Sequence, residues 1–236
     1  MSQTTSPGIG PQGEPVTGGP ARPPERVTLE GRHIDVRPFD VDLHAADLFA
    51  ASHGSAARDA LWDYLSVPPF KDLDAFRASY AEAAKKDDPL MFALVDKASG
   101  KAVGHATYMR IEPKQRVIEV GNILYTPSLQ RSPAATEAMY LMARHAFEDL
   151  GYRRYEWKCN ALNLPSRRAA DRLGFTYEGL FRQHMIVKGQ NRDTAWFSLL
   201  DHEWPHAKAA FEAWLAPENF EQDGTQKRRL QDFRTK

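Results

Sequence analysis

The chain has 236 residues with 31 basic and 31 acidic side chains, so its formal net charge at pH 7 is zero. A protein that binds nucleic-acid backbones needs a basic surface, and this balance argues against that class. The single cysteine, Cys159, excludes an intrachain disulfide framework. The sequence contains no run of about 18 apolar residues, so no membrane span is expected. The N-terminus lacks the basic start and apolar run of a secretory signal. We therefore expect a cytoplasmic protein.

The two ends of the chain differ in composition from its middle. Residues 1–26 are rich in Pro and Gly and have almost no large apolar side chains, so they cannot offset the entropy cost of ordering. We expect a disordered leader there, a single domain over residues 27–215, and a polar tail over residues 216–236. The tail contains three apolar side chains suited to local docking: Phe220, Leu230 and Phe233.

Hydrophobic periodicity between these ends predicts alternating strands and helices. In chain order the pattern is a strand, three helices, three strands, a helix, a strand, a helix, a hairpin of two strands and a last helix. The predicted strands are 27–37, 90–96, 102–111, 117–125, 154–160, 175–187 and 192–200. The predicted helices are 40–51, 58–65, 72–86, 133–150, 165–173 and 204–215.

This order of elements predicts the fold class. Strands that follow one another favour antiparallel pairing, whereas the strand–helix–strand unit over residues 117–160 favours a parallel crossover. The sequence therefore predicts an α/β fold built on a mixed, mostly antiparallel, seven-stranded sheet with flanking helices.

The loop before the fourth predicted helix has the features of an anion site. Ser132 is suited to cap the helix, and Pro133 stands at the first helical position, where its missing N–H costs nothing. A helix N-terminus presents free N–H groups and the positive end of the helix dipole. The flanking side chains are either hydrogen-bond donors or small: Gln130, Arg131, Ala134 and Ala135. A phosphate or pyrophosphate fits this pattern, and an ordinary capped helix with an exposed arginine is the alternative.

Three segments carry a resemblance to a known family. They read GNILYTPSLQRSPAATEA at 121–138, NALNLPSRRAADRLGFTYEG at 160–179 and GQNRDTAWFSLLDHEWP at 189–205. Together they resemble the GCN5-related N-acetyltransferases (GNAT), most closely the branch that acetylates N-terminal amines of ribosomal proteins. The family's pyrophosphate loop is usually Gln/Arg-x-x-Gly-x-Gly/Ala. In this chain Pro133 replaces the first glycine, which removes one backbone donor.

The resemblance implies a GNAT fold in which acetyl-coenzyme A lies between two splayed, central parallel strands. Its pyrophosphate would bind the loop after the first of these strands, and its pantetheine arm would pair with the backbone at 124–126. A backbone N–H near Leu124 would stabilise the oxyanion. The implied cofactor-binding residues are Leu124, Tyr125, Thr126, Gln130, Arg131, Ser132, Ala134, Ala135, Thr136 and Asn163.

Candidate catalytic residues follow from the chemistry of acetyl transfer, which needs a base for the amine and an acid for the leaving thiolate. Glu119 alternates with apolar residues on the strand that leads to the cofactor, so it is the candidate base, acting through a water. The alternative is a strand glutamate that only faces solvent. By resemblance, the Ser166 hydroxyl is the candidate acid. By resemblance Asn163 holds the pantetheine arm, and it can at the same time cap the helix that contains Ser166.

The acceptor side has weaker signals. Arg37, Tyr64 and His184 could line the amine pocket, and structural packing is the alternative interpretation for such residues. No metal site is expected. We expect an N-acetyltransferase that moves the acetyl group directly to a primary amine, either a protein N-terminus or a small amino-acid-like acceptor. A noncatalytic acyl-coenzyme A binding module is the competing function, and a homodimer is left open.

Overall fold

The computed structural model describes residues 13–234 of the chain. Its strands are β1 (Leu29–Glu30), β2 (Ile34–Pro38), β3 (Leu90–Asp96), β4 (Ala102–Glu112), β5 (Val117–Tyr125), β6 (Arg154–Asn160), β7 (Thr176–Val187) and β8 (Gln190–Leu200). Its α-helices are α1 (Val41–Ser52), α2 (Ala56–Asp59), α3 (Leu73–Ala84), α4 (Pro133–Arg144), α5 (Leu164–Leu173) and α6 (Trp204–Leu215). Shorter helical turns are Ala60–Trp62, His145–Asp149, Pro217–Asn219 and Leu230–Phe233.

The strands form one sheet in the order β1-β2-β3-β4-β5-β6-β8-β7. Only β5 and β6 pair in parallel, and α4 makes the crossover between them. Their register runs from Val117 opposite Arg154 to Glu119 opposite Glu156 and then stops, although both strands continue. The expected mixed, mostly antiparallel sheet with a splayed parallel pair is confirmed.

The sheet has eight strands instead of the expected seven because the first predicted strand, 27–37, is interrupted. A tight turn at Gly31 divides it into β1 and β2, and a Cβ atom at Gly31 would lie 2.4 Å from the Ile34 carbonyl oxygen. The carboxylate of Glu137 on α4 accepts hydrogen bonds from the backbone N–H groups of Arg32, His33 and Ile34. This carboxylate satisfies donors that a continuous strand would have given to a neighbouring strand.

Two apolar cores lie on opposite faces of the sheet. On one face, α4, α5 and α6 pack against side chains such as Ile118 of β5 and Tyr155 of β6. On the other face, α1 and α3 cover β3 and β4 with a cluster that includes Trp62 and Phe76. Because side chains alternate along a strand, the residue after Ile118 faces away from α4. The charged residues of β5 and β6 therefore share this second face.

Both ends of the described chain contact the domain. Residues 1–12 of the expected leader lie outside the described residues, whereas Ala21 is buried and its N–H donates to the Pro113 carbonyl. In the tail, Leu230 is buried and the turn Leu230–Phe233 packs against α6. No helix between residues 13 and 234 is long and apolar enough to cross a membrane.

Candidate active site

β5 and β6 diverge after their short paired region, and we call the gap between them the splay. Along it, the facing edges of the two strands make no hydrogen bonds to each other. Beyond Glu119 and Glu156, β5 continues along β4 and β6 continues along β8. The Thr126 N–H donates to the Val103 carbonyl of β4, so by alternation the N–H groups of Ile123 and Tyr125 face the splay. An extended ligand with amide groups would satisfy these freed backbone edges.

The loop after β5 positions donors at the far end of the splay. The Ser132 hydroxyl accepts from the Ala135 N–H at 3.1 Å, which is the expected helix cap. By its position in the first turn, the Ala134 N–H has no acceptor within the helix. Arg131 is exposed and has a left-handed backbone with φ of 59°. Gln130 donates to the Tyr125 carbonyl at 3.0 Å and braces the loop. The arrangement presents one backbone donor and one guanidinium to an anion.

Several predicted cofactor residues have side chains that are already engaged within the fold. The Tyr125 hydroxyl donates to the Ala135 carbonyl, and burial raises the pKa of Tyr125 far above its usual value. The Thr126 hydroxyl donates to the Val103 carbonyl at 2.6 Å. The buried Thr136 hydroxyl accepts from Arg172 at 3.0 Å, and Leu124 packs in the second core. These side chains fix the backbone around the splay and leave only main-chain atoms for a ligand.

Glu119 lies at the point where β5 and β6 part. Its side chain is 3% exposed, so it is not the solvent-facing strand glutamate of the alternative interpretation. Its Oε2 atom accepts from Arg110 Nη1 at 2.5 Å and lies 2.9 Å from Lys158 Nζ. The other oxygen, Oε1, lies beside Gly121, where an added Cβ atom would be 3.2 Å away. The carboxylate is therefore anchored through one oxygen and presents the other.

A buried charge network surrounds Glu119. The Lys158 ammonium is 3% exposed and also lies 2.5 Å from Glu156 Oε2. It stacks 3.8 Å above the centre of the Trp196 ring, and Arg154 pairs with the second oxygen of Glu156 at 2.6 Å. Arg110, Lys158 and Trp196 are not identifiable as site residues from their local sequence patterns. The only signal in the sequence was the polar face of β6, where Glu156 and Lys158 alternate with Tyr155, Trp157 and Cys159.

Asn163 and Ser166 lie at the start of α5, across the splay from Glu119's strand. Asn163 Oδ1 accepts from the Ser166 N–H at 3.1 Å, so its helix-capping role is present in the structure. The Ser166 hydroxyl accepts from Trp157 Nε1 at 3.0 Å. An indole N–H can only donate, so the Ser166 hydroxyl still has its own proton to donate, and the Cys159 sulfur is a neighbouring acceptor. Burial raises the pKa of the neighbouring Cys159 thiol, which indicates a packed thiol and not a nucleophile.

Two of the three residues predicted to line the pocket for the acceptor amine, Tyr64 and His184, lie around the splay. The Tyr64 hydroxyl donates to the Leu162 carbonyl at 3.1 Å and links the segment after α2 to the loop before α5. Lys188, at the tip of the β7–β8 hairpin, donates to the Trp62 carbonyl of that same segment. His184 lies 3.0 Å from the Thr194 hydroxyl on the face that carries Trp196.

Arg37 is not brought to the splay. It pairs with Asp35 at 2.8 Å on β2, which is separated from β5 by β3 and β4. Three strand spacings amount to about 14 Å. Among the residues that the structure describes, no group of three or more His, Cys, Asp or Glu side chains is arranged to hold a metal.

Comparison with known proteins decides the family. The sequence model of the acetyltransferase (GNAT) domain matches residues 33–176, more than half of the chain. The chain belongs to the GNAT family. The expected family membership is confirmed.

Solved structures and a curated relative agree with this assignment. A GCN5-related N-acetyltransferase from Brucella melitensis is 51% identical with a TM-score of 0.90, and the match covers 92% of this chain and 98% of that one. A probable GNAT acetyltransferase from Chromobacterium violaceum is 37% identical with a TM-score of 0.77, covering 85% and 100%. A Bacillus subtilis protein named putative ribosomal N-acetyltransferase YdaF is 28% identical over 109 residues, which cover 46% of this chain and 59% of that protein.

Proposed function

We propose that this GNAT protein transfers the acetyl group of acetyl-coenzyme A directly to a primary amine. The observation that carries the proposal is the placement of Glu119 at the base of the β5–β6 splay, with Oε1 presented and Oε2 anchored. The acceptor is a protein N-terminus or a small amino-acid-like amine. The name of the Bacillus subtilis relative supports the first of these acceptors.

The splay fits the cosubstrate that this family uses. Acetyl-coenzyme A supplies an activated acyl group on a thioester. The freed backbone edge at Ile123 and Tyr125 is suited to pair with the amides of its pantetheine arm, with Asn163 on the opposite side. The Ala134 N–H and the Arg131 guanidinium are suited to bind its pyrophosphate. Ser132, Pro133 and Gln130 shape this loop instead of adding donors.

Two residues of the chain handle the protons. Glu119 Oε1 accepts, through a water, the proton that the attacking amine loses. The Ser166 hydroxyl, whose oxygen already accepts from Trp157, donates its proton toward the departing sulfur. A backbone N–H on the splay side of β5 stabilises negative charge on the acetyl oxygen. Tyr64 and His184 line the acceptor's approach.

Release of free thiol from acetyl-coenzyme A, measured across a panel of peptides and small amines, tests this proposal. We expect acceptor-dependent release, and we expect Glu119→Gln to lower kcat by about 10²–10⁴-fold while acetyl-coenzyme A still binds. The matched control is Glu82→Gln, which changes an exposed glutamate paired only with Lys85. A Glu119→Gln variant that transfers at the parent rate would remove the base assignment.

A noncatalytic acyl-coenzyme A binding module is the second candidate. It is favoured by the engagement of the candidate base, because the Glu119 side chain is 3% exposed and already paired with both Arg110 and Lys158. Tight binding of acetyl-coenzyme A by calorimetry, together with no thiol release for any acceptor of the panel, would support this second function over the first.

A further inference from the structure

Arg192 is a cation on the same face of the sheet as Glu119, and the ion pairs of this face do not include it. It lies on β8, on the same face as Trp196 because the two are four residues apart on one strand. The ion pairs here join Arg110 to Glu119, Lys158 to Glu119 and Glu156, and Arg154 to Glu156 and Glu178. With Arg192 added, four cations face three carboxylates, and one positive charge is left without a counterion.

The environment of Arg192 connects it to the candidate base. Its Nε atom is fully buried and has no hydrogen-bond acceptor within residues 13–234. Burial lowers the pKa of Arg192, the charges of Cys159 and Glu119 act in the opposite direction, and the charge of Arg110 adds to the lowering. An arginine remains protonated despite such a shift. A permanent charge on the face of Trp196 and Lys158 therefore has no ion-pair partner within residues 13–234.

A second buried donor on the same strand face also lacks an acceptor. The indole Nε1 of Trp196 is fully buried and makes no hydrogen bond within the described part of the chain. Buried donors are normally satisfied in native structures, and those that are not require an explanation such as a missing ligand. Both Arg192 Nε and Trp196 Nε1 can only donate, so any group that satisfies either of them must be an acceptor.

We propose that Arg192 binds a carboxylate of the acceptor substrate, close to the amine that Glu119 deprotonates. This inference rests on the proposed acetyltransferase function and adds the substrate class. In the proposed function the phosphates of the cosubstrate are served by Arg131 and the start of α4, which packs on the opposite face of the sheet, so they do not require Arg192. The carboxylate comes either from a free amino acid or from an acidic side chain at the start of a peptide.

Matched acceptors that differ only in this carboxylate test the inference. One pair is a free amino acid and its α-amide, and the other is a short peptide with Glu or with Gln at its second position. For the parent protein we expect kcat/KM to favour the carboxylate member of one pair by about tenfold or more. In Arg192→Gln this preference is expected to fall to about one through a higher KM, with transfer to the neutral member retained. The pair that responds identifies the source of the carboxylate.

Arg182→Gln is the matched control, because Arg182 is an exposed arginine of β7 whose loss should leave the preference intact. Equal transfer to both members of each pair by the parent protein would overturn the inference and leave the acetyltransferase function standing. Weaker acetyl-coenzyme A binding by Arg192→Gln, measured by calorimetry, would also overturn it, since Arg192 would then serve the cosubstrate. Absence of thiol release with every acceptor would overturn the proposed function itself.

Discussion

Replacing Lys158 with methionine removes the cation between Glu119 and Glu156 while keeping an unbranched side chain of similar length. The Lys158 Nζ atom lies 2.9 Å from Glu119 and 2.5 Å from Glu156, and the Lys158 and Glu119 side chains are each 3% exposed. The methionine would leave two glutamates, opposite each other in the parallel register, without the cation that separates them.

The magnitude follows from what remains around the two glutamates. Removing one partner of a buried ion pair costs about 3–5 kcal/mol, because the other charge stays buried without its counterion. Glu119 keeps Arg110 and Glu156 keeps Arg154, so we expect the lower end of this range. For a chain of this size, a loss of about 3 kcal/mol lowers Tm by about 6–12 °C.

Urea unfolding followed by circular dichroism measures this change, with thermal unfolding as a second probe. The matched control is Lys85→Met, because Lys85 and Glu82 form an ion pair whose side chains are 69% and 70% exposed. An exposed pair contributes about 0–1 kcal/mol, so this control should unfold close to the parent protein. If Lys158→Met also unfolds within about 1 kcal/mol of the parent, the network around Glu119 is not the structural element we describe.

Three further substitutions test other parts of the structure. Gly121→Ala places a Cβ atom 2.7 Å from Met109 Sδ and 3.2 Å from Glu119 Oε1. Because this displaces the carboxylate, we expect kcat to fall about tenfold or more in steady-state assays. An unchanged kcat would contradict the role of Oε1. Burial lowers the pKa of His105 to about 4, below its unfolded value of about 6.5. The unfolded chain therefore binds the proton first, and about 3 kcal/mol of stability is lost as pH falls from 6.5 to 4. Urea titrations at several pH values should show that the unfolding free energy of His105→Gln depends less on pH than that of the parent. An identical pH dependence would refute this. Glu137→Gln disturbs three backbone hydrogen bonds at the β1–β2 turn and should cost about 1.5–3 kcal/mol of unfolding free energy with kcat unchanged.

Local chemistry made much of the fold predictable. Ser132 is suited to the N-cap position of a helix and Pro133 to the first helical position, and α4 begins there as expected. Asn163 caps α5 for the same reason. The order of strands and helices indicated the parallel pair, because a crossover helix joins parallel neighbours. By contrast, the break at Gly31 depends on Glu137, more than 100 residues away, and no local pattern announces such a contact.

The composition of the site was less predictable than the fold because it depends on register between distant strands. Glu119 was identifiable from its position before the loop, but its partners required knowing that it lies opposite Glu156 in β6. Lys158 could be read only as a polar residue on an alternating strand. Arg37 was expected to line the acceptor pocket because it is a basic residue at a strand end. Its local sequence does not show that β3 and β4 lie between its strand and β5.

Under the proposed function, we expect the charges around Glu119 to limit the kind of amine that the site accepts. Most primary amines arrive protonated, and a purely cationic acceptor would approach a carboxylate already paired with Arg110 and Lys158, on a face that also carries Arg192. Like charges at short range in a poorly solvated cleft repel strongly. An acceptor that also carries a carboxylate would place its ammonium group at Glu119 Oε1 and its carboxylate at Arg192. Such an acceptor is neutral overall, so its binding adds no net charge to the cleft. We therefore expect Arg110, Lys158 and Arg192 together to disfavour polyamines and to favour dipolar acceptors.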